Sequence, residues 1–214
     1  SSRGRKMVTV VHQTDLYRPH QDPDDHWDLA CQYALAKLGR QRLGGILLDY
    51  PYEGGPGDPD ICAIAQMNRI CGMNVPYGIG AEPGKTLSQA AELLLSVLAE
   101  SPVPVAVHIV GSCIDVALAL NAQPERFERN CAAIYLHAGA AQDDRQLEYN
   151  VALAPWAYAR VHAAPCPVYW LPCFHRVPDW GKEDMRIGKH GTFYRFVQGD
   201  ILRELPPRVQ NYFL

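Results

Sequence analysis

The sequence predicts an α/β fold with a mostly parallel central sheet flanked by helices, on three observations. Short apolar runs rich in β-branched residues recur along the chain, among them Val8 to Gln13, Leu43 to Asp49, Val103 to Val110 and Ala132 to His137. Segments with apolar residues at helical spacing separate them. Strands and helices alternating in this way imply βαβ units with right-handed crossovers. One domain over residues 1–214 is expected, with the pattern clearest over 7–171 and weak over 172–214.

The first unit is the most informative. Met7 to Gln13 reads as a buried strand, and Thr14 and Asp15 sit at its carboxyl end. Asp22 is a good helix N-cap, Pro23 suits the first helical position, and Asp24 and Asp25 suit the positive end of the helix dipole. Trp27, Cys31, Ala34, Leu35 and Leu38 recur at helical spacing, which predicts the buried face, and Gly39 closes the helix.

Further on, Leu43 to Asp49 reads as a strand and the stretch from Pro51 to Asp60 as a loop of Pro, Gly and acids. A helix is expected over Ile61 to Cys71, a short strand over Val75 to Ile79, and an amphipathic helix within Lys85 to Glu100. Val103 to Val110 is the next strand and Ile114 to Asn121 a short helix. Ala132 to His137 is a strand, Pro155 to Ala163 a helix and Pro167 to Leu171 a last strand. Beyond Pro172 the only expected element is a short helix over Gln198 to Leu205.

The chain has 214 residues, 20 basic and 23 acidic, for a net charge of −3. It carries no basic footprint for nucleic acid, and no apolar run long enough to span a bilayer. The start, SSRGRKM, is too short and polar for a signal peptide, which leaves localisation open with a weak lean to the cytoplasm. The seven cysteines are odd in number and lie mostly in apolar periodic segments. Reduced, buried thiols are therefore expected rather than a disulfide framework.

Helix capping explains Asp22 and one of its neighbours, but not Asp15, Asp22, Asp24 and Asp25 meeting at one strand end. Clustered carboxylates repel unless positive charge sits among them. A hard cation with oxygen ligands resolves this, and a carboxylate-rich cluster suits Ca²⁺ better than Zn²⁺. In open α/β sheets, ligands bind beyond the carboxyl ends of strands. GSCID (111–115) and the stretch from His137 to Asn150 follow strands and face the same edge. There Asp115 could serve a shared site, and Glu148 and Asn150 suit sugar hydroxyls.

Other motifs fail. GAEPGKT (80–86) lacks the glycine that a phosphate loop needs at position 79, which is Ile79. His20, Asp22 and His26, or Cys166, Cys173 and His175, lack standard zinc spacing. No GxSxG elbow and no GxGxxG after the first strand is present.

Taken together, the ordered motifs resemble the inosine-uridine-preferring nucleoside hydrolase superfamily, and in particular a divergent, nucleoside-hydrolase-like branch. Thr14 and Asp15, then Asp24 and Asp25 after a longer loop, are similar to its DTDPGxDD cluster. GSCIDVALALNAQPERF is similar to GPLTNxALAL and the helix after it, IYLHAGA to IVxMGGA, and LEYNVALAPWAYA to EFNxxxDPxAA. The resemblance implies a Rossmann-like nucleoside hydrolase fold and Ca²⁺-dependent cleavage of an N-ribosyl bond. Asp15 would ligate the metal and act as general base on a metal-bound water, with Asp25 and the Ile114 carbonyl as further ligands. Asp24, Gln142, Glu148 and Asn150 would hold the ribose, Gln142 standing where the family has Asn. A homo-oligomer is also implied.

The sequence departs from the family at Asp115, which replaces Asn, and at Ala154, which replaces Asp. The family's late His-Asp pair has no match before Leu214, so either the fold lacks its C-terminal part here or the metal site is incomplete. The leading expectation is a nucleosidase acting on a small-molecule nucleoside or related N-glycoside. A non-catalytic ribose- or carbohydrate-binding protein is the alternative, and a domain whose acids are merely solvated caps is a third.

Overall fold

The computed structural model describes residues 7–16, 23–51, 60–140, 147–172 and 196–213. Six strands form one parallel sheet: β1 (Val8–Thr14), β2 (Gln41–Leu48), β3 (Tyr77–Ile79), β4 (Val105–Ile109), β5 (Cys131–Leu136) and β6 (Val168–Trp170). Their order across the sheet is β3-β2-β1-β4-β5-β6. The predicted strands are all present, with ends shifted by one or two residues.

The helices are α1 (Asp24–Lys37), α2 (Asp60–Cys71), α3 (Gln89–Glu100), α4 (Ile114–Ala122), α5 (Pro124–Asn130), α6 (Tyr149–Leu153), α7 (Pro155–His162), α8 (Gln198–Leu202) and α9 (Pro207–Phe213). Among the described residues no helix is long and apolar enough to cross a membrane. The short α6 and the terminal α9 were not expected from periodicity, because neither is long enough to show a repeat. Lys85 lies in an exposed turn, and α3 starts only after Ser88, whose hydroxyl accepts Ala91 N–H at 3.0 Å.

Two cores sandwich the sheet. α3, α4, α5 and α7 pack Leu94, Val116, Phe127 and Val161 against Val107 and Ile134 on one face. α1, α2 and α9 pack Leu29, Tyr33, Ile64 and Tyr212 against Ile46 and Leu48 on the other. Burying such side chains contributes roughly 1.5–3 kcal/mol each.

α1 is rotated relative to the sequence expectation. Its buried residues are Asp25, His26, Leu29 and Tyr33, whereas Cys31, Ala34, Leu35 and Leu38 are exposed. Asp25 bonds to the end of β1, which turns the positions four and eight residues later, Leu29 and Tyr33, inward. Trp27 packs beneath the C-terminal segment, 4.9 Å from the Phe196 ring and stacked on Phe213 at 4.2 Å. Pro23, not Asp22, occupies the N-cap position, and Asp22 lies outside the described residues. Gly39, at φ +67°, closes α1 as expected: its N–H donates to Ala36 O at 3.0 Å, and Arg40 N–H to Leu35 O at 2.9 Å.

Candidate active site at the carboxyl edge of the sheet

β1 and β4 are neighbours at the point where the strand order reverses, the place where open α/β sheets form a crevice beyond the carboxyl ends of their strands. β1 delivers Thr14 and Asp15, the first turn of α1 delivers Asp24 and Asp25, and the residue after β2 is Asp49. Thr14 Oγ1 donates to Asp25 Oδ2, and Asp15 N–H donates to the same oxygen at 3.1 Å. Asp24 accepts Asp25 N–H at 2.8 Å. Leu16 follows at φ +39°, an uncommon conformation for a side chain with a β-carbon. Its full burial and the bond from its N–H to Thr14 Oγ1 at 3.2 Å hold it there.

The turn between β4 and α4 forms the opposite wall. Ser112 N–H donates to Asp49 Oδ2 at 2.8 Å and Ser112 Oγ donates to Asp49 Oδ1. Asp115 accepts Ser88 Oγ at 2.6 Å and Ala81 N–H at 3.0 Å. A β-carbon at Gly111 would come within 2.6 Å of Asp49 Oδ2 and 2.9 Å of Asp15 N, so only glycine permits this approach. Asp15, Asp49, Ser112, Ile114 and Asp115 line a cavity of about 20 Å³ with Tyr50 and Tyr149 beside it. That is room for one water or ion among the carboxylates.

Among the described residues the site is short of positive charge. Burial, then the Asp25 carboxylate and more distantly those of Asp49 and Asp24, push Asp15 up to about 10. Burial raises Asp25 to about 7 against its bonds from Asp15 and Thr14, and burial with Asp49 nearby raises Asp115 to about 7. Asp25 accepts the Asp15 backbone N–H, and the two neighbouring raised carboxyls titrate together. An oxygen-only donor set with this charge burden fits a hard cation such as Ca²⁺. Among the described residues no three His, Cys, Asp or Glu side chains are placed to hold an ion by themselves.

No protein-family model and no curated protein sequence matches the chain. Solved structures do. An inosine-guanosine nucleoside hydrolase superposes with a TM-score of 0.60 at 16% identity, over 78% of this chain and 62% of that one. The inosine-uridine preferring nucleoside hydrolase from Bacillus anthracis gives 0.60 at 16%, over 78% and 65%. The fold is nucleoside-hydrolase-like. The type III effector protein XopQ, solved with adenosine diphosphate ribose, gives 0.55 at 19% identity over 78% and 56%. The chain thus spans less than two thirds of the length of these structures.

Within this nucleoside-hydrolase-like fold, Asp15 and Ile114 line the cavity, whereas Asp25 is not among its lining residues and meets Asp15 through the backbone N–H. Asp24 is exposed beside Asp25. Glu148 caps α6, accepting Gly139 N–H at 2.8 Å, Asn150 N–H at 3.0 Å and Val151 N–H at 3.3 Å. Asn150 Nδ2 donates to Val110 O at 3.1 Å, which ties it to the end of β4, while its Oδ1 is buried with no partner among the described residues. Gln142 lies outside the described residues, as do His20, Cys173 and His175 of the disfavoured zinc sets. Sequence reasoning missed Asp49: its position right after a buried strand was the available signal, but a lone acid at a strand end is common. Ser112, its partner, carried no signal of its own.

Proposed function

We propose that this chain hydrolyses the N-glycosidic bond of a nucleoside or related N-ribosyl compound with Ca²⁺ as cofactor. The observation that carries the reading is the buried Asp15–Asp25 pair at the point where the strand order reverses. Asp15, Asp25 and the Ile114 carbonyl would hold the ion, with water and sugar hydroxyls completing its shell. When bound, it supplies positive charge that orients the ribose and acidifies water.

Asp15, in its ionised form, would take the proton of the attacking water as general base. Thr14 Oγ1 and the Asp15 N–H fix the Asp25 carboxylate and so the spacing of the pair. Asp24 and Asn150 would hold the sugar hydroxyls; Gln142, to which the resemblance gives the same role, lies outside the described residues. Carboxylates around the ring stabilise positive charge developing on the sugar as the leaving base departs. Tyr50 and Tyr149 border the cavity, where aromatic faces suit a flat leaving group.

Ribose release from purine and pyrimidine nucleosides, with and without Ca²⁺, tests this reading. Turnover that requires Ca²⁺ and disappears in Asp15→Asn supports it, and undiminished turnover in Asp15→Asn contradicts it. A second reading, a ribose-binding protein without turnover, is favoured by Glu148, whose carboxylate is committed to three backbone N–H groups. Nucleoside or ADP-ribose binding without product distinguishes it.

A further inference from the structure

Cys131 opens β5 and Cys166 lies two residues before β6. The strands are parallel neighbours, with Ile134 opposite Val168 and Ile134 N–H donating to Pro167 O at 2.9 Å. Both thiols therefore meet at the amino edge of the sheet, the edge opposite the carboxylate crevice. Both are free, and the Cys131 S–H donates to Ala133 O at 3.6 Å. Cys131 is buried in the core and Cys166 sits half-buried at its margin. Neighbouring strands run about 4.8 Å apart, within the Cα separations of about 4.4–6.8 Å that disulfides span.

The geometry points to a reversible Cys131–Cys166 disulfide, formed by exchange with a small-molecule disulfide of the glutathione type. The more exposed Cys166 thiolate attacks one sulfur of glutathione disulfide: a mixed disulfide forms, the oxidant's S–S bond breaks and one glutathione thiolate leaves. Cys131, giving its proton to water, attacks Cys166 Sγ, and the second glutathione leaves as a thiolate. Two cysteine thiols are oxidised, one glutathione disulfide is reduced, and the two protons end on the two glutathiones. Exposure sets the roles: the half-buried Cys166 is reached first, and the buried Cys131, whose S–H is held by Ala133 O, follows.

The bridge would strap the segment that carries Glu148, Asn150, α6 and α7 onto the sheet from its far edge. The test is to incubate the full chain with glutathione disulfide, map disulfides by non-reducing peptide mass spectrometry, and follow Tm. A Cys131–Cys166 linkage distinct from adducts at exposed Cys31 and Cys62 is expected, with Tm raised on the order of 5 to 10 °C and restored by dithiothreitol. Cys166→Ser should abolish the shift, and Cys131→Ser should leave glutathione trapped on Cys166. A stable Cys166–glutathione adduct in the unsubstituted chain, an unreacted Cys166, or an unchanged Tm in the bridged protein would each overturn the proposal.

Discussion

The Asp25 carboxylate accepts the Asp15 backbone N–H at 3.1 Å, so the first turn of α1 is bonded to the residue that ends β1. One side chain thereby sets the rotation of a helix and places a second carboxyl beside the first. The same contact is what burial and like charge make unfavourable without a cation. Asp25→Asn keeps an oxygen for Thr14 Oγ1 and Asp15 N–H while removing the charge. It should raise the cation-free Tm at pH 8 and weaken Ca²⁺ binding about 100-fold or more, by thermal melts and calorimetry.

The raised carboxyls also set the pH dependence of stability. Asp25 and Asp115, at about 7 when folded against 3.8, keep protons that the unfolded chain has lost. Stability they contribute is complete below pH 3.8 and is lost as pH rises through about 7; Asp15 extends the loss toward 10. His12, lowered to about 3 by burial and the nearby His108, acts in the opposite sense, losing stability as pH falls below 6.5. Above pH 6.5 the carboxyls therefore dominate. Without Ca²⁺, Tm should fall between pH 6.5 and 8.5, and saturating Ca²⁺ should flatten the decline. A Tm that rises over that range without Ca²⁺ would contradict the assignment.

The rotation of α1 predicts opposite outcomes on its two faces. Leu29→Ala removes a fully buried side chain and should cost about 2–5 kcal/mol in urea unfolding. Leu38→Ala, at a site 72% exposed, should stay within about 0.5 kcal/mol.

Gly111→Ala tests the close approach under the crevice. The new methyl would push into Asp49 Oδ2 and Asp15 N, so ribose release should fall at least tenfold, with a stability loss of about 1–3 kcal/mol.

Much of this arrangement was legible in the sequence, for identifiable reasons. The parallel strands are dense in Val, Ile and Leu because both faces are covered, and such runs stand out. Asp15 and Asp25 stood out because several acids follow the first strand closely in the sequence. The buried face of α1 was not, since a hydrogen bond rather than apolar periodicity fixes it. Glu148 read as a sugar ligand, yet its carboxylate also caps α6, a role visible only once Gly139 N–H is seen to converge on it. Asp49 acquires meaning only from Ser112, which lies 63 residues away in sequence.

The most direct measurement is calorimetric titration of the full chain with Ca²⁺ at pH 7.5 in two buffers of different ionisation enthalpy. A carboxyl raised to about 10 must give up its proton when a cation arrives. The account predicts binding that releases about one proton per ion and is lost in Asp25→Asn. Absence of binding, or binding without proton release, would contradict the claim that the Asp15–Asp25 pair is a cation site.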